Sequence, residues 1–280
     1  MGEIAEMIDL HNHILPGLDD GAEVLEESIE MCRISFRDGI RTIVATPHIL
    51  PGIYENNRPT ILAKVQELNN ALLKLRVQSS EFAVGNTQPQ SSSEQPSAIR
   101  NPQSGIEILP GADIHFSSDL LQRYENGEIV AVNDLGRYLM VEFEFQGIPY
   151  KAEEALFQLL TKGIVPIISH PERNFEIGHN PKRYYEMVRM GCLGQVTAMS
   201  LTGEFGPEIR QIAEKLVKKR LIHIIASDAH SAGRRPPILS SGVKAAEKIV
   251  GKKEAQKMVT EYPQAILEGR KPDIPEPLSP

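Results

Sequence analysis

The sequence predicts an α/β fold, a single parallel barrel domain, on three observations. Apolar β-like runs alternate with amphipathic helical ones along most of the chain, and such βαβ alternation implies a parallel sheet. Five short segments, most of them apolar runs of this kind, end in metal-ligating side chains. They are Ile8-Asp9-Leu10 before His11-Asn12-His13, Thr42–Pro47 before His48, Tyr138–Val141 before Glu142, Val165–Ser169 before His170, and Ile222–Ser227 before Asp228-Ala229-His230. Parallel barrels build their sites at strand C-termini, so these endings describe strands that converge on one site. The length, 280 residues, suits one barrel domain. An open doubly wound sheet would gather its ligands at one switch point, whereas here nearly every strand contributes one.

The elements follow in order. The first strand is Ile8–His13. A Pro/Gly/Asp loop, Leu15–Gly21, leads to a helix with Ile29, Cys32, Arg33 and Phe36 at helical spacing, ending near Gly39. Strand two is Thr42–Thr46, and a long helix from Thr60 to Leu75 carries Ile61, Val65, Leu68, Leu72 and Leu75 on one stripe. Strand three, Ile106–Leu109, runs into Pro110-Gly111-Ala112-Asp113, and strand four is Tyr138–Phe143. A helix at Lys151–Thr161 precedes strand five, Val165–Ser169. Another, Pro181–Arg189, stops at Gly191 before strand six, Gly194–Thr197. The helix Pro207–Lys219 precedes strand seven, Ile222–Ser227, and helices at Ser240–Val250 and Lys252–Tyr262 close the chain. Seven such units suggest a closed or nearly closed barrel over residues 7–270. Residues 78–105, rich in Ser, Gln and Pro around Thr87–Pro96, have little to bury and read as a disordered insertion. Residues 271–280 read as a flexible tail.

Composition excludes several functions. A net charge of −7 argues against a nucleic-acid-binding surface, which is normally basic. No apolar run approaches membrane-span length. Met1–Met7 carries Glu3 and Glu6 and lacks the regions of a signal peptide, which points to the cytoplasm. The two cysteines, Cys32 and Cys192, read as reduced cytosolic thiols. A cysteine-dependent phosphatase needs Arg six positions after the nucleophile; Asp38 and Ala198 stand there instead. No phosphate-binding G-x-x-x-x-G-K-[ST] loop or G-x-G-x-x-G turn is present.

His, Asp and Glu suit Mn, Fe and Zn, so the chain reads as a multinuclear metallohydrolase. His11 and His13 share one strand face, because side chains alternate with period two. Asp9 has the same parity and is placed to orient a ligating His. Asp228 and His230 form a second such pair. His48 and His170 stand where their strands must stop. Glu142 ends an apolar run, and a buried carboxylate without a cation is costly. Asp20 is equally placed to cap the following helix; with Asp19 in that role, Asp20 is free to ligate. His223 has parity opposite to Asp228 and should face the outer helices. His179 falls in a polar loop, and His115, just beyond Asp113, is placed either to line the site or at the surface, the surface being the expectation. Arg173 and Arg235 each follow a ligand in loops that would rim the site, and both suit bidentate capture of a phosphate or carboxylate.

Ile8–Ala22, with its core Asp9-Leu10-His11-Asn12-His13 and its Leu15-Pro16-Gly17-Leu18-Asp19-Asp20-Gly21, closely resembles the N-terminal signature of the bacterial PHP-type protein tyrosine phosphatases. These are the manganese-dependent CpsB/YwqE-type enzymes of capsule and exopolysaccharide operons. Arg41–His48, Val141-Glu142-Phe143, Ser169–Asn174 and Ile225–His230 resemble the family's later motifs, in order from about Met7 to Arg270. The resemblance implies a distorted (β/α)7 TIM-like barrel, the PHP fold, holding two or three divalent ions, Mn2+ with Fe or Zn as alternatives. By position, His11, His13, Asp113 and Asp228 would hold one ion, Asp20, His48 and His230 a second, and Asp113, Glu142 and His170 a third. Arg173 and Arg235 match the substrate-facing arginines and, with Asp228 and His230, would form the catalytic group. The implied reaction is hydrolysis of phosphotyrosine on a protein, such as the tail of a bacterial tyrosine autokinase, by water activated at the ions. Asp113 stands where the family usually has Glu, and Ile49 where it often has a second His. A related small-molecule phosphatase or phosphodiesterase, such as a histidinol-phosphate phosphatase, would need a deeper pocket with a carboxylate for an amine. A non-catalytic interaction module would keep metal only as structure, and nine ligand-capable positions are more than such sites use.

Overall fold

The computed structural model describes residues 6–78 and 105–280; all but the ends of the 78–105 insertion lies outside the described residues. Its β-strands are short and pair only in parallel, so the connections between paired strands need crossovers, and helices supply them. One sheet has the order β1 (Met7–Asn12), β2 (Ile40–Ala45), β4 (Glu107–Pro110). The other runs β3 (His48–Ile49), β5 (Asp113–His115), β6 (Tyr138–Glu142), β7 (Val165–Ser169), β8 (Leu193–Thr197), β9 (Ile224–Ala226). Only Thr46-Pro47 separates β2 from β3, and only Gly111-Ala112 separates β4 from β5. The strands predicted at Thr42–Thr46 and Ile106–Leu109 are thus each followed at once by a second short strand in the other sheet. A Cβ on Gly111 would come within 2.6 Å of Val44 Cγ1, so the chain can cross there only without a side chain. At the far edge, residues just after β9 meet β1: Asn12 and Ala229 form a parallel bridge, and the Asp228 N–H donates to the His11 carbonyl at 2.8 Å.

Alternation sorts the side chains into two apolar layers. Leu10, Val44, Leu109, Tyr138, Met140, Ile167, Leu193 and Ile224 form an inner cluster. Ile43, Ile108, Leu139, Val141, Ile168, Val196 and Ile225 face outward and join the larger core under the helices. Two strands carry the inner parity onward to polar groups: 138 and 140 lead to Glu142, and 193 leads to Gln195 and Thr197.

The helices are α1 (Leu25–Asp38), α2 (Arg58–Gln78), α3 (Leu120–Glu125), α4 (Ala152–Thr161), α5 (Phe175–His179), α6 (Lys182–Met190), α7 (Ala198–Thr202), α8 (Pro207–Lys218), α9 (Ser240–Val250), α10 (Lys252–Lys257) and α11 (Glu261–Leu267). α1 ends where predicted, with Gly39 at φ 96°, a conformation that favours glycine. Its buried face is Ser28, Met31, Cys32 and Ser35, one position round from the predicted stripe, because two serines spend their side chains on backbone carbonyls and pack inward. α2 buries Ile61, Val65, Leu68 and Leu72 as its spacing requires. The predicted Lys252–Tyr262 helix is broken at Met258–Thr260, where the Val259 carbonyl leaves the helix to accept the Ile8 N–H at 2.8 Å. Residues 271–280 carry no helix or strand, yet Leu278 N–H donates to the Lys219 carbonyl at 2.9 Å and Ile274 packs on the core. Both cysteines are buried and free, and burial pushes both thiols up, away from nucleophilic use. Among the described residues no helix is long and apolar enough to cross a membrane.

His223 faces the outer layer, as its parity requires. It is buried and its Nδ1 accepts the Gly194 N–H at 3.0 Å. Burial lowers its pKa to about 4. The unfolded chain therefore takes up a proton near pH 6.5 that the folded chain refuses until about pH 4. Stability from this group is complete above pH 6.5 and drains away as the pH falls towards 4. Urea unfolding at pH 7 and pH 4 should show the stability gap between the wild type and His223→Asn shrinking by about 3 kcal/mol. A gap that stays constant with pH would mean that His223 titrates normally in the fold.

Candidate metal centre

The strand ends and the loop after β1 bring the nine predicted ligand positions together: Asp20, His48, Glu142, His170, Asp228 and His230 line one pocket, and His11, His13 and Asp113 lie buried against them. His11 and His13, both buried, bring their Nε2 atoms to 3.0 Å. The other nitrogen of each ring is committed. Gln195 Oε1 accepts from His11 Nδ1 at 3.0 Å, and Asp19 Oδ2 accepts from His13 Nδ1 at 2.7 Å. Each ring thus turns a lone pair towards the other, an arrangement that asks for a cation between them. His230 follows the same rule: its Nδ1 donates to the Asp228 carbonyl at 2.9 Å, leaving Nε2 facing Asp20 Oδ1 at 3.5 Å.

Asp19 does not cap α1, which begins beyond it at Leu25 and has no side-chain cap. Its carboxylate instead holds His13 and accepts the His48 and Gly21 N–H groups, each at 2.9 Å. Gly21 is required here: a Cβ would fall 2.1 Å from the His13 carbonyl oxygen. Asp20 is thereby left at the pocket edge, its side chain half exposed, 3.6 Å from His48 Nε2. Asp9 orients no ring, contrary to its parity reading. It accepts from the backbone N–H and hydroxyl of Ser227 and from Asn12 Nδ2, and so ties β1 to the turn that presents Asp228.

On the opposite wall His48 Nδ1 lies 3.5 Å from Asp113 Oδ2 and 3.6 Å from Glu142 Oε2, and His170 Nε2 lies 3.2 Å from Glu142 Oε1. Burial raises the Asp113 pKa and the nearby Glu142 charge adds to it. Burial alone would do the same to Glu142, but His115 and His170 hold its carboxyl far below the usual range. Ser169 donates to Asp113 Oδ1 at 2.5 Å, while Oδ2 is buried and meets no hydrogen-bond partner. A buried, unpartnered carboxylate oxygen beside a second carboxylate and several imidazole nitrogens fits a divalent cation. The ligand atoms fall into three clusters, each within 4.8 Å: His13, Asp20, His48 and His230; His11, His13 and Asp228; His48, Asp113 and Glu142. His13 and His48 thus each stand between two clusters that position in the sequence had kept apart. Two of the candidates, His170 at φ 31° and Asp228 at φ 50°, sit in left-handed backbone, a strain of about 1–3 kcal/mol that recurs at functional sites.

Both arginines meet at Asp228. Arg173 Nη2 donates to Asp228 Oδ2 and, at 2.6 Å, to Thr197 Oγ1. Arg235 Nη2 donates to the same carboxylate oxygen at 2.6 Å and to the Asp228 carbonyl at 2.9 Å. Phe205 lies under both guanidiniums, at 4.8 Å and 5.8 Å. Burial lowers the pKa of both arginines, but they stay far above neutral pH and remain charged. His115 lines the pocket, 3.9 Å from Glu142 and from Glu144, which corrects its expected surface location. His179 is exposed at the end of α5, away from the pocket.

Gln195, Thr197 and Phe205 were missed from sequence, and Asp19 reads there only as a helix cap. For Gln195 and Thr197 a signal existed: two polar side chains of one parity at the end of a buried strand. Glu172 was missed too. Its buried carboxylate accepts the Thr197 N–H at 3.0 Å and the Ser200 hydroxyl at 2.7 Å, fixing the strand end that supports Arg173.

Known proteins resemble this chain over nearly its whole length. The chain matches the family model for capsular polysaccharide synthesis, CpsB/CapC, over residues 7–93 and 77–268. It is 35% identical to the tyrosine-protein phosphatase YwqE of Bacillus subtilis over 93% of its own length and 91% of that protein. Against the putative tyrosine-protein phosphatase CapC of Staphylococcus aureus the identity is 35%, covering 83% of this chain and 80% of the relative. A crystal structure from work on B. subtilis YwqE and Streptococcus pneumoniae CpsB, described as unique metal-dependent tyrosine phosphatases, superposes with a TM-score of 0.84 at 34% identity, covering 98% of this chain and 99% of that one. With a match that runs through every strand end described above, the chain belongs to the CpsB/CapC family of capsular polysaccharide synthesis.

Proposed function

We propose that this protein is a metal-dependent protein-tyrosine phosphatase of capsule or exopolysaccharide synthesis. One observation carries the reading: nine ligand-capable side chains gather at one site whose pocket two charged arginines also line, with a buried oxygen of Asp113 left unpartnered. The scaffold is a (β/α)7 barrel of the PHP type, each interrupted strand pair, β2 with β3 and β4 with β5, counting as one barrel strand. The parallel bridge between Asn12 and Ala229 supports closure. The protein acts in the cytoplasm, on phosphotyrosine in a tail such as that of a bacterial tyrosine autokinase.

His11, His13, Asp113 and Asp228 would hold one cation, Asp20, His48 and His230 a second, and Asp113, Glu142 and His170 a third, with manganese the foremost candidate. When bound, such cations lower the pKa of water and neutralise phosphate oxygens. The chain's own groups do the rest. Asp19 and Gln195 fix the His13 and His11 rings so that Nε2 faces inward. Arg173 and Arg235, pre-oriented by Asp228, Thr197 and Phe205, offer N–H groups to the equatorial oxygens as charge grows on them. The tyrosyl leaving group has a phenol pKa of about 10, so departure needs less protonation than an aliphatic alcohol would.

Dialysis against excess chelator should remove two or three metal equivalents, counted by inductively coupled plasma mass spectrometry, and abolish hydrolysis of a phosphotyrosine peptide. Mn2+ should restore it. Undiminished turnover in metal-free protein would overturn the proposal.

A further inference from the structure

We propose that Phe145 forms a subsite for the phenyl ring of the substrate and makes the pocket select aryl over aliphatic phosphate esters; this rests on the phosphatase reading above and adds a specificity residue to it. Phe145 is three residues beyond Glu142, in the loop after β6. It lines the same pocket as His48, His170, Arg173 and Arg235, a cavity of about 310 Å³. Its ring stacks on that of His170, 27° from parallel with centroids 6.3 Å apart. The side chain is 55% exposed, so one large apolar face beside the candidate ligands is still in water. Phe143, two residues earlier on the same loop, is by contrast buried against Phe116.

The loop is held rigidly for such a task. The Phe175 N–H donates to the Phe145 carbonyl at 2.7 Å, and Asn174 Nδ2 donates to the Glu144 carbonyl at 2.7 Å. Asn174 in turn caps α5 by accepting the Ile177 N–H at 3.0 Å. The ring therefore projects from backbone that two hydrogen bonds tie to the start of α5, so a bound ring need not order that backbone.

The chemistry of the ester explains the match. A phosphoryl group held by the arginines and the ligand cluster leaves its ester oxygen at the pocket mouth. In an aryl ester the next group is a flat ring, which meets Phe145; in an aliphatic ester it is a single CH2. Offset or edge contact between two aromatic rings adds to the apolar burial.

The test is steady-state kinetics of the metal-loaded full chain, wild type against Phe145→Ala, Phe145→Leu and Phe145→Tyr. The substrate is a phosphotyrosine peptide, and inorganic phosphate serves as a ringless competitive inhibitor. Phe145→Ala should raise KM for the peptide about tenfold while kcat and the inhibition constant of inorganic phosphate change less than about twofold. Phe145→Leu should fall in between, and Phe145→Tyr should match the wild type. Parallel weakening of peptide and inorganic phosphate would overturn the subsite, because Phe145 would then be supporting the phosphate pocket. So would an unchanged peptide KM. A wild type that binds inorganic phosphate but leaves the phosphotyrosine peptide intact would instead defeat the phosphatase reading itself.

Discussion

Asp228→Asn is expected to reduce turnover of a phosphotyrosine peptide by on the order of 10³ and to lower metal content with it. Asp228 joins two parts of the site that other residues serve separately. Its Oδ1 lies 3.4 Å from Nε2 of both His11 and His13, and its Oδ2 accepts from Arg173 and Arg235. An amide keeps the size but loses the negative charge. One face of the side chain then attracts a cation poorly, and the other leaves two guanidiniums without their shared counter-charge. The φ of 50° is tolerated by Asn as well as by Asp, so the variant should fold, and a circular dichroism spectrum like the wild type's is the control. A well-folded variant that keeps its metal and works within tenfold of the wild type would remove Asp228 from the centre of the site.

The second large effect separates substrate binding from ion binding. Arg173→Ala should cut kcat/KM for aryl phosphates by about 10² to 10³ and leave the metal content unchanged. Arg235→Ala should behave alike. A guanidinium stays protonated and cannot ligate a cation, and both arginines line the pocket beside the candidate ligands. Arg173→Lys should rescue little. Nη2 of Arg173 makes both the Thr197 and the Asp228 contacts and its flat face rests on Phe205; a lysine ammonium has neither that plane nor further nitrogens to offer a phosphate. Kinetics paired with metal analysis decides the matter. If Arg173→Ala loses metal and activity together, the arginine braces Asp228 and does not serve the phosphate.

The outline of this site was legible because strand geometry is periodic. Side chains of one parity share a face, so His11 with His13, and Asp228 with His230, could be paired without coordinates. The same parity turned His223 outward, where it lies buried and bonded to Gly194. Helix endings at Gly39 and the stripe of α2 follow from equally local rules. Periodicity failed where the chain changes direction within two residues. Strands β3 and β5 are too short to show a pattern, and the break after Lys257 depends on Val259 reaching across to Ile8.

What the sequence determined by itself is the set of reacting groups: which residue types stand at the strand ends, and that no cysteine chemistry is available. What the tertiary structure decided is how those groups are held. His11 takes its orientation from Gln195, 184 residues away, and Arg173 shares Asp228 with Arg235 over a phenylalanine from a third loop. Asp19 and Asp20 are neighbours of the same type, yet one grips His13 from behind and the other faces the pocket. Sequence spacing carries no such information, because the distances are set by how separate loops fold over one another. A hydrogen bond of 3 Å distinguishes side chains that a period of two or 3.6 residues treats as equivalent.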